Sequence, residues 1–368
     1  MYCINPKCPQ PKNTADLQFC VTCGGKLRLK ERYRATGPIG QGGFGRTFLA
    51  MDEDKPSKPP CVIKQFYPQV PQEHLAKAIE LFNHEAEQLD RLGKHPQIPD
   101  LYAYFTQDDR QYLIQEYIPG ENLESELDRL GNFDENKIRQ VLTEILDVLE
   151  FLSDLKIIHR DIKPENIIRR STDNKLVLVD FGTAKMLDAA AMLKPGTSIG
   201  SPEYIAPEQA RGQATFASDL FSLGVTCLHL LTSISPFDLY DVNLDRWIWR
   251  DYLTMSIDSH LGSILDRLAE NIPNRRYQTV AEVKQDLGIS RRVAIANPPP
   301  PPTANPPIVP AAAKIPPSPP AITTLPPKRG GTLDADLAAL SAEFGNSQPS
   351  SPPTSTPTPT TAKPKPSN

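Results

Sequence analysis

The last 71 of the chain's 368 residues hold one aromatic side chain and few branched apolar ones, yet they contain 21 of its 39 prolines. Such a stretch buries too little surface to offset the entropy of ordering it. Residues 298–368 are therefore expected to be a disordered Pro/Ser/Thr-rich tail, not a domain. Long hydrophobic runs are also missing: the apolar stretch Leu220–Leu231 is interrupted and too short to span a bilayer. The opening Met1-Tyr2-Cys3-Ile4-Asn5-Pro6 lacks the charged-then-apolar pattern of a secretion signal. Charge of one sign is lacking as well. The net charge is −4, with 41 acidic against 35 basic residues up to position 297 and 3 against 5 after it, which excludes the basic excess of a dedicated nucleic-acid binder. These absences predict a cytoplasmic protein without a membrane span and without a nucleic-acid partner. Residues 1–297 are enough for one large mixed α/β core and a small appendage.

Cysteine is scarce too, with six in all, but four fall in the first 23 residues. Cys3, Cys8, Cys20 and Cys23 are spaced C-x4-C, eleven residues, then C-x2-C. Each close pair can aim two thiolates at one metal from a turn, and Gly24-Gly25 permits the close approach of a knuckle. A segment of this size with almost no core needs a staple, and tetrahedral zinc supplies one. Two disulfides are the alternative, disfavoured in a reducing compartment; iron is the alternative metal. Lys7, Lys12, Lys26, Arg28 and Lys30 would offset the negative charge of a four-thiolate site. Cys61 and Cys227 sit in apolar contexts and are expected to be buried.

Ile39-Gly40-Gln41-Gly42-Gly43-Phe44-Gly45-Arg46-Thr47 contains G-x-G-x-x-G. A dinucleotide-binding fold would follow the last glycine with a helix. Here Thr47-Phe48-Leu49-Ala50 reads as a strand, so the glycines form the turn of a hairpin that can lie over phosphates. Lys64 stands alone in the apolar run Cys61-Val62-Ile63-Lys64. Downstream, apolar residues from Leu75 to Leu92 recur at helical spacing and predict a helix over 74–92 that carries Glu85 beside its stripe. Lys64 is read as a phosphate contact held by Glu85, with Glu80 and Glu87 the competing carboxylates.

A second amphipathic helix is predicted over 134–155, running into His159-Arg160-Asp161-Ile162-Lys163-Pro164-Glu165-Asn166. Asp180-Phe181-Gly182 follows a short strand at Leu176–Val179. Asp161, Asn166 and Asp180 are oxygen donors on adjoining loops, suited to Mg²⁺ carried by a nucleotide, and Lys163 adds a positive charge for a phosphoryl group in transfer.

With Ala206-Pro207-Glu208 further on, residues 33–288 resemble a eukaryotic-type protein serine/threonine kinase domain. The resemblance implies an α+β, bilobal protein-kinase-like fold, with a small β-rich lobe and a large helical lobe. A zinc ribbon, residues 1–30, would precede it and the tail would follow. The implied activity is transfer of the γ-phosphoryl group from ATP to Ser/Thr hydroxyls of protein substrates, the chain itself among them. Asp161 would accept or orient the hydroxyl proton, with Lys163 beside it. Asn166 and Asp180 would hold two Mg²⁺, and Lys64 would touch the α- and β-phosphates. Residues Ile39 to Thr47 would cover the nucleotide, while Glu116 and Ile118 would offer backbone groups to adenine. Gln115 resembles the position that limits the back of the pocket. Leu89, Leu101, His159 and Phe181 match a stack joining the lobes, braced by Asp219, and Glu208 with Arg276 match a structural ion pair. Two positions depart from the pattern: Thr47 replaces a valine, and Val62 replaces an alanine.

Arg160 resembles the arginine that pairs with a phosphate on the activation segment, which makes Thr197 and Ser198 candidate regulatory sites. The four-cysteine prefix and Gly-Gly-Phe-Gly-Arg-Thr-Phe-Leu-Ala at 42–50 resemble cyanobacterial serine/threonine kinases. The short connection predicts that the prefix packs on the small lobe; docking of protein partners is the alternative. In the tail, Leu333, Leu337, Leu340 and Phe344 share helical spacing over 332–344, a candidate partner-binding helix. A non-catalytic nucleotide-binding scaffold and a small-molecule phosphotransferase are the competing functional readings.

Overall fold

A computed structural model describes residues 1–42, 45–69, 71–181 and 202–289. Gly43, Phe44, Gly182, Thr197, Ser198, Ser201 and the whole tail, including 332–344, lie outside the described residues.

The first lobe is a six-stranded antiparallel sheet with one helix. Strands β1 (Arg28–Leu29), β2 (Tyr33–Gly42), β3 (Gly45–Asp52), β4 (Pro60–Phe66), β5 (Leu101–Gln107) and β6 (Arg110–Glu116) lie in the order β1-β2-β3-β4-β6-β5. Most neighbours in the chain are neighbours in the sheet because tight turns join them. At Asp108-Asp109 both residues take positive φ, 49° and 57°, the geometry of a two-residue hairpin. Helix α1 (Leu75–Leu92) buries Ala78, Phe82, Ala86 and Leu89, the three- and four-residue spacing that predicted it. It starts one residue later than expected because His74 belongs to a preceding 3-10 turn.

The second lobe begins with β7 (Gly120–Asn122) and α2 (Leu123–Leu130), whose N-terminus Asn122 caps by accepting from the Ser125 amide. Helix α3 (Glu135–Asp154) is capped in the same way by Asp134. Its buried face, Ile138, Val141, Leu142, Ile145, Leu149 and Leu152, meets helix α4 (Phe216–Thr232). Nearly every residue of α4 is buried, as its apolar composition requires. Gly224 lets α5 (Ser259–Leu268) approach: a Cβ there would stand 2.6 Å from Leu268 Cβ. A small sheet of β7, β8 (Ile167–Arg170) and β9 (Leu176–Leu178) carries the loops that face the first lobe. No helix among the described residues is long and apolar enough to cross a membrane.

The prefix packs against the small lobe and shares its interior. Its last strand, β1, pairs with β2, and Tyr2 N–H donates to Ala35 O at 2.9 Å. Ile4 enters the core formed by Tyr33, Phe48 and Ile63. Arg34, 1% exposed, sends Nη1 back to the carbonyls of Leu17 at 2.6 Å and Ala15 at 3.4 Å, while its Nε stands 3.0 Å from Glu53.

Candidate active site

A cavity of about 470 Å³ lies between the lobes, within the range of small-ligand sites. Strand alternation sets its roof. Thr47 of β3 points into the cavity, whereas Arg46 and Phe48 turn to the other face, where the guanidinium stacks over the ring at 4.9 Å. Ile39, Gly40, Thr47, Lys64, Glu116, Ile118, Asn166 and Asp180 line the cavity; Gln41, Gly42, Gly45 and Arg46 belong to the hairpin but not to the wall. Gly45 is required by the sheet itself, since a Cβ would fall 2.4 Å from Gln65 O of β4.

Lys64 joins the two lobes. Its Nζ is 2.5 Å from Glu85 Oε1, on α1, and 2.7 Å from Asp180 Oδ1. Burial alone would lower the lysine pKa, but the charges of Asp180 and Glu85 outweigh it and hold the ammonium protonated. Burial pushes Glu85 toward protonation. A carboxyl this close to an ammonium secured by two carboxylates is nonetheless ionised.

The loop after α3 is fixed by buried acceptors. Asp219 of α4 accepts from the His159 and Arg160 amides, both at 2.8 Å. His159 packs on Phe181, ring centroids 4.7 Å apart. Asn166 donates its Nδ2 to Asp161 O and Oδ2, each at 2.8 Å, which leaves the amide oxygen as the ligand half of the group. Val179 N–H donates to Asn166 O at 2.9 Å, so the Asp180 loop is tied to the Asn166 loop. Asp180 itself has φ 65°, a backbone conformation costly outside glycine that places its carboxylate between Lys64 and the cavity. Lys163 is largely buried. Desolvation opposes its charge, but Asp161, Glu165 and Asp180 raise its pKa and keep it cationic.

Asn122, Ile168 and Val179 also line the cavity and were not singled out in the sequence. Asn122 had a legible signal, as the helix cap before Leu123-Glu124-Ser125. Ile168 reaches the cavity from β8 and Val179 from the residue just after β9, a placement that the short apolar run Leu176–Val179 does not reveal.

In the prefix, the four sulfurs of Cys3, Cys8, Cys20 and Cys23 all lie within 4.8 Å of one another. Cys3–Cys23 and Cys8–Cys20 are 3.6 Å apart, far beyond a disulfide bond of about 2.05 Å. They are close to the edge of about 3.8 Å that zinc–sulfur bonds of about 2.3 Å give a tetrahedron. Asn5 donates to Cys23 Sγ and Asn13 to Cys20 Sγ, each at 3.5 Å. Burial would raise the Cys20 pKa, but amide donors at Cys23 and Thr22 and the Asn13 side chain bring it down to about 6. Burial pushes the Cys3 and Cys8 thiols the other way, and the four sulfurs together form a cluster able to hold a metal ion.

The protein kinase domain family matches residues 33–286. Serine/threonine-protein kinase B of Synechocystis sp. is 42% identical over 295 residues, 77% of this chain and 50% of its own length. Serine/threonine-protein kinase F of the same organism is 39% identical over 310 residues, 77% of this chain and 62% of its own. Serine/threonine-protein kinase PknA of Nostoc sp. is 38% identical over 267 residues, 70% and 47% respectively. The chain thus spans about half the length of the curated relatives it matches.

Proposed function

This chain belongs to the protein kinase domain family, and we propose that it transfers the γ-phosphoryl group of ATP to Ser/Thr hydroxyls of proteins, its own included. The observation that carries this reading is Lys64, held at 2.5 Å by Glu85 of the small lobe and at 2.7 Å by Asp180 of the large lobe. Lys64 is positioned to donate to the α- and β-phosphates, and Glu85 keeps it aimed there. Asn166 and Asp180 are the oxygen donors for two Mg²⁺, which when bound neutralise charge on the transferring phosphate. Asp161, its carboxylate fixed by the Asn166 amide, orients the attacking hydroxyl and takes its proton. Lys163 adds positive charge beside it. Backbone groups of Glu116 and Ile118 lie on the wall where the adenine edge would sit.

On this reading residues 33–288 are the catalytic domain, residues 1–30 a zinc ribbon, and residues 298–368 a tail. Thr197 and Ser198 would receive regulatory phosphate, and the ribbon and the 332–344 segment would engage protein partners. Free, clustered thiols fit a cytoplasmic location. Metal analysis of the purified full chain tests the ribbon: one zinc per chain is expected, and iron or no metal would overturn the assignment.

The catalytic reading is tested with labelled Mg-ATP, following transfer to the chain itself and to a generic basic protein. The parent should transfer label, and Asp161→Asn should lose about 10²–10⁴ of the rate while still binding ATP. No transfer by the parent, with ATP bound, would replace the enzyme with a nucleotide-binding scaffold.

A further inference from the structure

Gln115, next to the last residue of β6, lines the cavity beside Val62 and Lys64. It is 6% exposed, and its carboxamide makes no hydrogen bond among the described residues. Four other polar side chains on the same wall are engaged. Lys64 has Glu85 and Asp180, Asn166 has Asp161, Asn122 accepts from the Ser125 amide, and Glu116 accepts from the Asp100 amide. A buried primary amide left without partners in a cavity wall is poised for a ligand.

We propose that Gln115 reads the base of the bound nucleotide, with Oε1 accepting from the exocyclic amine of adenine and Nε2 donating to N7. This assignment rests on the nucleotide reading above. A carboxamide presents an acceptor and a donor side by side. Adenine presents the complement, a donor amine next to the N7 acceptor, and this is how glutamine recognises adenine in the major groove of DNA. Guanine presents two acceptors on that edge, so the same carboxamide would set its oxygen against another oxygen. Position agrees with the chemistry. The backbone of Glu116 and Ile118 follows directly along the chain and serves the edge nearer solvent, leaving Gln115 at the inner end. Val62 is its cross-strand partner on β4, 6% exposed, and a branched side chain there limits where the carboxamide can turn. The larger residue at position 62 and the glutamine at 115 thereby form one device: a narrowed inner end with a polar reader fixed in it.

The test compares equilibrium binding of ATP and 7-deaza-ATP, in which N7 is a C–H, to the full chain, to Gln115→Met and to Gln115→Glu. Methionine is near in volume and removes both polar atoms. The parent should prefer ATP by about five- to tenfold, the worth of one net hydrogen bond. Gln115→Met should weaken both nucleotides, ATP the more because it loses two hydrogen bonds against one, and bring the two within about twofold. Gln115→Glu, with acceptors only, should favour 7-deaza-ATP over ATP. If Met destabilises the small lobe, the inversion in Gln115→Glu still decides. A parent without preference for ATP, or variants that keep the parental ratio, would overturn the assignment while leaving nucleotide binding intact. A parent that binds neither nucleotide would overturn the nucleotide reading itself.

Discussion

Arg276 and Glu208 meet inside the large lobe, Nη1 to Oε1 at 2.7 Å, with the arginine side chain 0% exposed. Ser218 Oγ donates to the same carboxylate oxygen at 2.6 Å, and the guanidinium also reaches Ala217 O and Glu270 O, each at 2.9 Å. Its flat face covers the Phe221 ring at 4.7 Å. Each guanidinium nitrogen and each carboxylate oxygen has a partner, so the end of the segment that follows the active site is held by one buried pair.

Removing one partner strands the other. Arg276→Met should cost about 3–5 kcal/mol in urea unfolding, and adding Glu208→Gln should recover part of that loss. The pair also sets an acid limit. Burial raises the Glu208 pKa, but Arg276 and Ser218 outweigh it and hold the carboxyl below 4.5. With the folded value depressed, the stabilisation is complete above pH about 4.5 and declines as pH falls through the lower folded value. Melting temperatures from pH 6 to 3 should therefore fall less steeply in Glu208→Gln; a slope equal to the parent's would refute this.

Asp219 behaves with the opposite sign. Burial pushes its pKa up to about 6, although two backbone amides at 2.8 Å favour the charged form. A raised folded value means that ionisation draws on stability, so its contribution is fullest below pH about 3.8 and is lost as pH rises through 6. Asp219→Asn should remove that dependence. At pH 7.5 it should also cost about 1–3 kcal/mol, because one of the two amide donors would face an NH₂ group. Since those amides belong to the residues preceding Asp161, kcat should fall more than KM rises. Equal change in both would mean that the loop keeps its place.

The glycine loop separates two reasons for glycine. A Cβ at Gly45 would lie 2.4 Å from Gln65 O, whereas one at Gly40 meets nothing closer than Thr47 Cβ at 3.9 Å. Gly45→Ala should destabilise the small lobe by about 1–3 kcal/mol. Gly40→Ala should change the melting temperature little and show its effect, if any, in ATP affinity. Thermal melts with and without ATP distinguish the two; equal melting shifts would contradict the strand-contact explanation.

Metal removal should register in the catalytic unit. Stripping the prefix with a strong chelator, or substituting Cys20→Ser, is expected to lower the melting temperature by roughly 5 °C or more, at about 2–4 °C per kcal/mol for a chain of this size. The small-lobe core contains Ile4, so loosening the prefix opens that core. Full loss of metal with unchanged melting would show that the prefix folds without it.

Much of this was legible in the sequence because it is written locally. The spacing of Ala78, Phe82, Ala86 and Leu89 marks α1, and that of Ile138, Leu142, Ile145 and Leu149 marks α3. The order of the motifs marked Lys64, Asn166 and Asp180, which line one cavity, and Asp161, whose carboxylate accepts from the Asn166 side chain. What escaped is carried by atoms that have no letter of their own. Arg34 reads as one more cation after Arg32, yet its acceptors are the backbone carbonyls of Ala15 and Leu17. The need for Gly45 comes from the carbonyl of Gln65, a residue on the next strand. Asp180 gives no sign of its left-handed backbone. The unspent amide of Gln115 becomes visible only when its neighbours' partners are known.

The shared interior of prefix and small lobe has a consequence for engineering and descent. A chain cut to begin at Tyr33 would keep the Arg34 guanidinium while discarding the carbonyls it serves, and would leave a vacancy where Ile4 sits. A chimera that grafts this prefix onto a catalytic domain without counterparts of Arg34 and of the Tyr33, Phe48 and Ile63 core supplies carbonyls without a guanidinium and an isoleucine without a socket. Neither segment is a detachable cassette, so substitutions on one side of the joint constrain those tolerated on the other.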